Sequence, residues 1–406
     1  VTKTITDVDI AERQAFVLRV GELLHRYGTP SHRLEQVMSR ISDSLGIQAT
    51  YLYTPTALLV SFDGPGLERT KVLRVVAGEA DLGKLFDFDD ALEKLEDGTA
   101  SLGQTLERVE RVAAAPPRYG IVVTGLACGV ASACATVFFG GGASEVGVAA
   151  LLGICLFLLG RWLRRFPETG NLLEALAGFI AAMGSLCVAA FVTPIDDRLA
   201  TLGAVIVLLP GLAFTVAMTE LASRHLSSGV ARLAGAGVVF LTLAVGVALA
   251  WRLGANLRPA MPLALPLPAA SFWPALIAAP VAFAIQLRAR RRQWPIICAV
   301  AWSGFVTAKW GLWQLGPEFG AFAGALVIGG LSNLYARLRD RPAMVPQVPS
   351  VLILVPGSIG YQSVTAFLDR DVLAGIEFAF SMTMIAVSIA GGLLAANAIV
   401  PPRRVL

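Results

Sequence analysis

Charge is scarce in this chain, histidine scarcer, and cysteine scattered. Only 15% of the 406 residues are Asp, Glu, Lys or Arg, and there are three histidines. With 55% hydrophobic residues and a mean hydropathy of +0.67, the composition fits a polytopic membrane protein rather than a soluble one. The five cysteines (Cys128, Cys134, Cys155, Cys187, Cys298) all lie in apolar runs, without CxxC spacing or a neighbouring histidine. That excludes a disulfide framework or a zinc ribbon and leaves small thiols packed between helices. No Walker A lysine loop is present, so ATP hydrolysis by this chain is not expected. HExxH, paired catalytic acids and a nucleophile motif are missing too, which argues against an enzyme and leaves no cofactor or metal to expect. The net charge of +4 is no nucleic-acid signal, because the excess arginines sit in short loops between apolar runs. The polar opening, Val1 to Asp9, lacks the apolar core of a signal peptide, so the expectation is a cytoplasmic N-terminus.

What charge there is lies at the front. Residues 1–118 hold 14 of the 33 basic and 18 of the 29 acidic residues. A head of ordinary polarity therefore precedes an apolar body. Ile10 to Gly28 shows helical periodicity, and Gly28-Thr29-Pro30-Ser31 ends it, with Ser31 a candidate N-cap for a second helix stopped by Gly46. Gln48–Thr54, Ala57–Phe62 and Thr70–Val76 read as strands, with a turn at Asp63-Gly64-Pro65-Gly66. Phe88–Glu96 and Leu102–Ala113 read as helices, and Ala115-Pro116-Pro117 marks a boundary. Residues 1–118 are thus expected to form a small α+β cytoplasmic domain. His25, Arg26, His32, Arg33 and Glu35 gather at its first break and read as a cap and a solvated face.

A membrane span needs about 20 apolar residues. Ten candidates emerge: Tyr119–Phe139, Glu145–Leu159, Leu172–Val192, Leu199–Met218, Val230–Trp251, Ala270–Leu287, Pro295–Thr307, Phe319–Leu338, Val351–Leu368 and Val372–Val400. With both termini cytoplasmic, inner loops and tail carry fourteen arginines, among them Arg403 and Arg404, against five basic residues outside, among them Arg258. That split obeys the positive-inside rule.

Two of the ten spans carry a Pro-Gly pair: Val205-Ile206-Val207-Leu208-Leu209-Pro210-Gly211 and Val351-Leu352-Ile353-Leu354-Val355-Pro356-Gly357. Proline lacks an N–H and clashes with the preceding turn, so each pair should break its helix. In lipid such breaks survive only inside protein or beside a water-filled cavity. Pro210 and Pro356 stand 146 residues apart, and the same offset relates Thr219 to Thr365, Gly229 to Gly375 and Gly246 to Gly392. The expected fold is an all-α polytopic membrane protein of about ten transmembrane helices, built as two five-helix repeats over residues 119–254 and 255–406 and preceded by the α+β head. Five spans per repeat is an odd number, so the second repeat is inverted, an arrangement that holds substrate near the midplane of several secondary transporters. Pro210-Gly211 should lie halfway along its span and Pro356-Gly357 early in its own, facing each other.

The candidate substrate-binding residues are those at and beside the breaks: Pro210, Gly211, Thr215 and Thr219 in the first, and Pro356, Gly357, Ser358, Tyr361, Gln362 and Ser363 in the second. Free N–H groups at a helix start can hold a carboxylate, freed carbonyls an ammonium, and the hydroxyls either, which suits a small zwitterion. The competing reading is that the hydroxyls only satisfy kinked backbone. Ionisable groups within spans are costly and usually functional. Glu220 and Glu377 are the candidate proton carriers, provided burial penalises their charged form. Asn333 and Asn397 read as a hydrogen bond between helices.

The run Gly21-Glu22-Leu23-Leu24-His25-Arg26-Tyr27-Gly28-Thr29-Pro30-Ser31-His32-Arg33-Leu34-Glu35, with the two Pro-Gly spans, resembles the threonine/serine exporter family over nearly the whole chain. The resemblance implies export of threonine and serine driven by the proton-motive force across a bacterial inner membrane. The chain departs from it in carrying Glu220 where an aspartate is expected. The implied partners are a small amino-acid substrate, protons and the lipid bilayer, with a homo-oligomer left open. Export of dicarboxylates or other small carboxylates is the first alternative. An uncoupled channel and a membrane-bound sensor are the rivals from other classes.

Overall fold

A computed structural model describes residues 7–63, 69–75, 78, 80–166, 172–257 and 266–402. The Gly64-Pro65-Gly66 turn, Arg258, Arg403, Arg404 and the side chain of His32 lie outside the described residues. The head consists of α1 (Asp7–Arg26), α2 (Ser31–Ser44), β1 (Ala49–Thr54), β2 (Ala57–Phe62), β3 (Arg69–Arg74), α3 (Leu82–Glu96) and α4 (Leu102–Ala114). The strands form an antiparallel sheet in the order β1-β2-β3. Alternate residues of β2 turn inward, so Leu58, Val60 and Phe62 are buried against α1 and α2. Gly46 ends α2 at φ 68°, a conformation glycine adopts without cost. α3 starts six residues before the expected Phe88, because Asp81 caps it by accepting the Lys84 N–H at 2.9 Å.

The body is helical throughout. Its helices are α5 (Ile121–Phe138), α6 (Ala143–Leu163), α7 (Leu173–Phe191), α8 (Asp197–Val205), α9 (Gly211–Ala222) and α10 (Leu226–Leu253), followed by α11 (Phe272–Gln286), α12 (Trp294–Leu315), α13 (Pro317–Arg339), α14 (Met344–Val351), α15 (Gly357–Leu368) and α16 (Val372–Ile399). Among the described residues, eight helices are long and apolar enough to cross a membrane. Val238, Leu241, Val245 and Leu249 stand exposed along one stripe of α10, and Leu373, Ile376 and Phe380 along one of α16. Apolar stripes of that extent mark a lipid-facing surface.

The two half-helix pairs, α8–α9 and α14–α15, are where the Pro-Gly breaks fall. Pro210 adopts φ −80°, ψ 33° and Pro356 φ −81°, ψ 35°, so the same sequence produces the same corner twice. The helix starts Gly211 and Gly357, and Leu226 and Val372, keep the offset of 146. So do the left-handed residues Arg224 (φ 66°) and Arg370 (φ 64°) that end α9 and α15. Packing is duplicated as well: α7 lies on α10 as α13 lies on α16, and α9 on α16 as α15 on α10. One expectation needs correction. Pro356-Gly357 is not early in its span, because α14 begins at Met344 rather than Val351. Pro346 and Pro349 disguise that helix. Pro346 sits in its first turn, where proline costs little, and the Ser350 hydroxyl donates to the Pro346 carbonyl at 2.7 Å. The expected short spans are also longer than the sequence suggested, α6 by running from Ala143 to Leu163 and α12 by running to Leu315.

The head is seated on the body. Its core continues into Ala289, Ile297 and Met344, and the Tyr119 hydroxyl donates to the Ala289 carbonyl at 2.6 Å. Arg288 pairs with Asp81, Arg290 with Asp87 and Arg341 with Asp90, so loops assigned to the inner face meet the head. At the other end Arg198, in the first turn of α8, pairs with Asp369, just after α15. The first broken pair therefore ends at the head, and the second begins there.

Candidate functional site

The two breaks meet. A Cβ placed on Gly211 would lie 2.4 Å from Val355 Cγ1 and 2.9 Å from both the Cα and the N of Gly357, so only glycine permits this approach. Pro210 and Pro356 supply no side-chain cap, and the first α-helical bonds run from Phe214 to Pro210 and from Gly360 to Pro356. Two helix N-termini, each the positive end of its dipole, thus converge. Beside them lies a cavity of about 210 Å³ lined by Gly211, Gly357, Leu212, Leu352, Phe283 and Gln286. At about 30 Å³ per water it holds roughly seven waters, the scale of a small amino acid. Its walls are apolar apart from backbone and Gln286, so an anion held there would be met chiefly by the helix ends.

Leu212 also borders a second, head-side cavity of about 60 Å³. Here α9 contributes Thr215 and Thr219, α14 contributes Gln347, α16 contributes Asn397, and the head contributes Pro30 and Arg33. Arg33 is 7% exposed, and its guanidinium donates to Gln347 Oε1. Burial lowers its pKa to about 10, which leaves it cationic at neutral pH. The Thr219 hydroxyl is spent on the Thr215 carbonyl at 3.0 Å, whereas the buried Thr215 hydroxyl has no partner among the described residues. Asn333 Nδ2 donates to Asn397 Oδ1 at 2.8 Å, the interhelical bond expected from sequence.

The remaining site residues expected from sequence lie elsewhere. Tyr361 packs into the apolar cluster with Phe240, Val247 and Trp251. The Ser363 hydroxyl donates across to the Gly375 carbonyl of α16 at 2.7 Å, and the Thr365 hydroxyl to the Gln362 carbonyl within α15 at 3.0 Å. Ser358 and Gln362 are half-buried on α15. Glu377 is on the exposed face of α16, beside Ile376 and Phe380. Glu220 is fully buried, but at the head. Its carboxylate accepts from Arg232 Nε and Nη2, both at 3.0 Å, and from the Ser31 backbone N–H at 3.1 Å. Ser31 is therefore not an N-cap. It is the first residue of α2, its hydroxyl donates to Ser228 Oγ at 2.9 Å, and the body's Glu220 does the capping. His225 pairs with Glu35 alongside.

The cluster read as a solvated face is thus an interface, with His25 and Arg33 both buried. Sequence reasoning missed Arg33 and Gln347. The one signal was a basic pair immediately after a Thr-Pro-Ser break. An open cleft of about 430 Å³ on the head is lined by Lys84, Arg118, Asp81 and Asp87 and includes no residue of either break; in it Arg118 pairs with Asp87 at 3.5 Å and Lys84 Nζ donates to the Ala113 carbonyl at 2.8 Å. Among the described residues, no cluster of His, Cys, Asp or Glu could hold a metal ion.

A family model for a threonine/serine exporter matches residues 15–254, and a second model, described as threonine/serine exporter ThrE, matches residues 271–399. The pheromone-regulated membrane protein 10 of Eremothecium gossypii is 28% identical over 98% of this chain and 58% of its own length. The protein of the same name in Saccharomyces cerevisiae is 26% identical over 98% of this chain and 55% of its own. An uncharacterised Schizosaccharomyces pombe protein is 26% identical over 94% and 51%. The chain spans about half the length of these curated relatives. All three are fungal, so the expectation of a bacterial inner membrane draws nothing from them. No solved structure matches. With the two models together covering most of its length, the chain belongs to the threonine/serine exporter family, as a multi-pass membrane protein.

Proposed function

We propose that the chain is a secondary exporter of small hydroxy amino acids, threonine and serine, which holds its substrate where the two broken helices meet. The observation that carries this reading is the approach of Gly211 to Gly357 beside a cavity of about 210 Å³. Broken helices at matching positions of two halves are the usual form of a transporter's site. In this reading α8–α9 and α14–α15 are each one interrupted span, giving ten. The repeats 119–254 and 255–406 are inverted, and the head of residues 1–118 lies in the cytoplasm with both termini. The opposite running of the two broken pairs relative to the head supports the inversion, and the meeting of arginine-bearing loops with the head supports its side.

Transport is driven by the proton-motive force. Of the two acids, Glu220 is the one inside the protein, and Glu377 contributes only if α16 turns. Proton uptake at Glu220 would break its pair with Arg232 and weaken its hold on Ser31, loosening the head from the body. Efflux of labelled threonine and serine from proteoliposomes, with and without an imposed proton gradient, tests the reading. Efflux that accelerates when the trans side is acidified fits it. Gradient-independent flux would replace it with a channel, and efflux of dicarboxylates alone would change the substrate.

A further inference from the structure

The head-side cavity holds an unusual set of groups for a region between membrane helices. It has a buried guanidinium, a buried amide, and a buried hydroxyl without a hydrogen-bond partner among the described residues. A buried cation in low dielectric favours an anion beside it, and a guanidinium presents its N–H groups in a fork that matches a carboxylate. An unpartnered buried hydroxyl is costly in the same surroundings and can donate to that anion. The volume, about 60 Å³, is that of two waters at about 30 Å³ each, which is the room a carboxylate's two oxygens displace. Thr215 lies one turn along α9 from Gly211, about 6 Å, so an anion released here has the convergent helix ends next on its way. Leu212 is the shared wall between the two cavities.

From this arrangement we infer that the cavity between Arg33 and Thr215 is the head-side binding site for the substrate's carboxylate, and that the head itself supplies the selecting residue, Arg33. The inference rests on the exporter reading. The head is then part of the binding machinery as well as a seat for the body. The ligand class is a small molecule bearing a carboxylate, and the matching amino alcohol is excluded.

The test uses the full chain in proteoliposomes, with serine and its amino alcohol, serinol, as probes. Arg33→Gln should raise the KM for serine about 10- to 100-fold with kcat little changed, the size expected when one charge-assisted pair to a carboxylate is lost. Arg33→Lys, which restores the charge without the fork, should recover part of that loss. A KM for Arg33→Gln equal to that of the native chain, in a chain that exports serine, overturns the inference and leaves the exporter reading standing. If Arg33→Gln does not fold, Thr215→Cys in a Cys155→Ser background answers instead. Serine should protect the introduced thiol from a maleimide and serinol should not, whereas equal protection by both, or by neither, overturns the inference. Absence of serine, threonine and dicarboxylate export by the native chain would end the exporter reading first, and this inference with it.

Discussion

On the head side of the breaks, Thr215, Gln347 and Asn397 surround a cavity; shifted by 146 residues, Tyr361, Thr201 and Trp251 hold the matching positions on the far side. Both sides have a buried hydroxyl without a partner among the described residues, Thr215 in one and Tyr361 in the other. Both sides also have an arginine. Arg33 comes from the head, whereas Arg198 comes from the body, stacks over Trp251 at 4.9 Å and pairs bidentately with Asp369. The difference is bulk. Tyr361 and Trp251 fill one apolar cluster, while threonine and asparagine leave space. Two copies of one scaffold, with the same corner at Pro210 and Pro356, thus present an open side and a closed side through the size of two residues.

The strongest test of that comparison removes what the sides share. Gly211→Ala puts a methyl group against Val355 and the Gly357 backbone, and backbone cannot swing away. Export should fall to background, with a stability cost of about 1–3 kcal/mol from overpacking. Gly357→Ala should be milder, because its methyl group would stand 3.3 Å from Leu209 Cβ and 3.5 Å from Gly211 Cα. Equal export by both variants would mean that the breaks do not limit transport. The next test exchanges what the sides do not share. Thr215→Tyr carries the far-side residue to the head side and should cut export about tenfold or more by filling the cavity. Tyr361→Thr should open the far side and raise gradient-independent leak, with a cavity cost of about 3 kcal/mol. A Thr215→Tyr variant that exports normally would show that the head-side cavity is not on the route.

The breaks and their echo were legible in sequence because proline and glycine act locally. Pro210 and Pro356 dictate their corners whatever surrounds them, and the 146-residue offset needs no contact to be seen. The second broken helix was half legible. Pro346 and Pro349 look like an end of structure until the Ser350 hydroxyl is seen to satisfy the turn. The head interface was not legible. Glu220 and Ser31 are 189 residues apart, and Arg33 and Gln347 are 314 apart, so no periodicity or spacing links them. A polar cluster at the start of a helix reads as solvated unless the surface that covers it is known, and here the cover is another part of the chain. The candidate proton carrier, Glu220, directly follows Thr219 on α9 yet turns to the head, because its partners Ser31 and Arg232 lie there and no local pattern reveals them.

The comparison also depends on the head staying in place, since the head provides Arg33. Glu220→Gln keeps an acceptor for the Ser31 N–H but loses the bidentate pair with Arg232. The expected cost is about 1.5–3 kcal/mol, read as a lowered unfolding midpoint, together with loss of proton coupling. Undiminished gradient-driven export would remove Glu220 from the drive and leave it a structural clamp. His25 sharpens the same point with a smaller effect. Burial lowers its pKa below 6.5, while its Nε2 lies 3.1 Å from the Pro55 carbonyl. The folded head therefore holds His25 neutral where the unfolded chain would begin to protonate it. The stability this provides is present above pH 6.5 and is lost as pH falls below it, with a slope no steeper than about 1.4 kcal/mol per pH unit. Arg232 pushes in the same direction and Glu220 opposes, so the effect should grow when Glu220 is neutralised. Unfolding midpoints of the native chain and of His25→Gln between pH 7.5 and 5 measure it. The native chain should lose stability on acidification and the variant should lose less; parallel curves would mean that acid loosens the head through other groups, leaving only its seating on the body to distinguish the open side from the closed one.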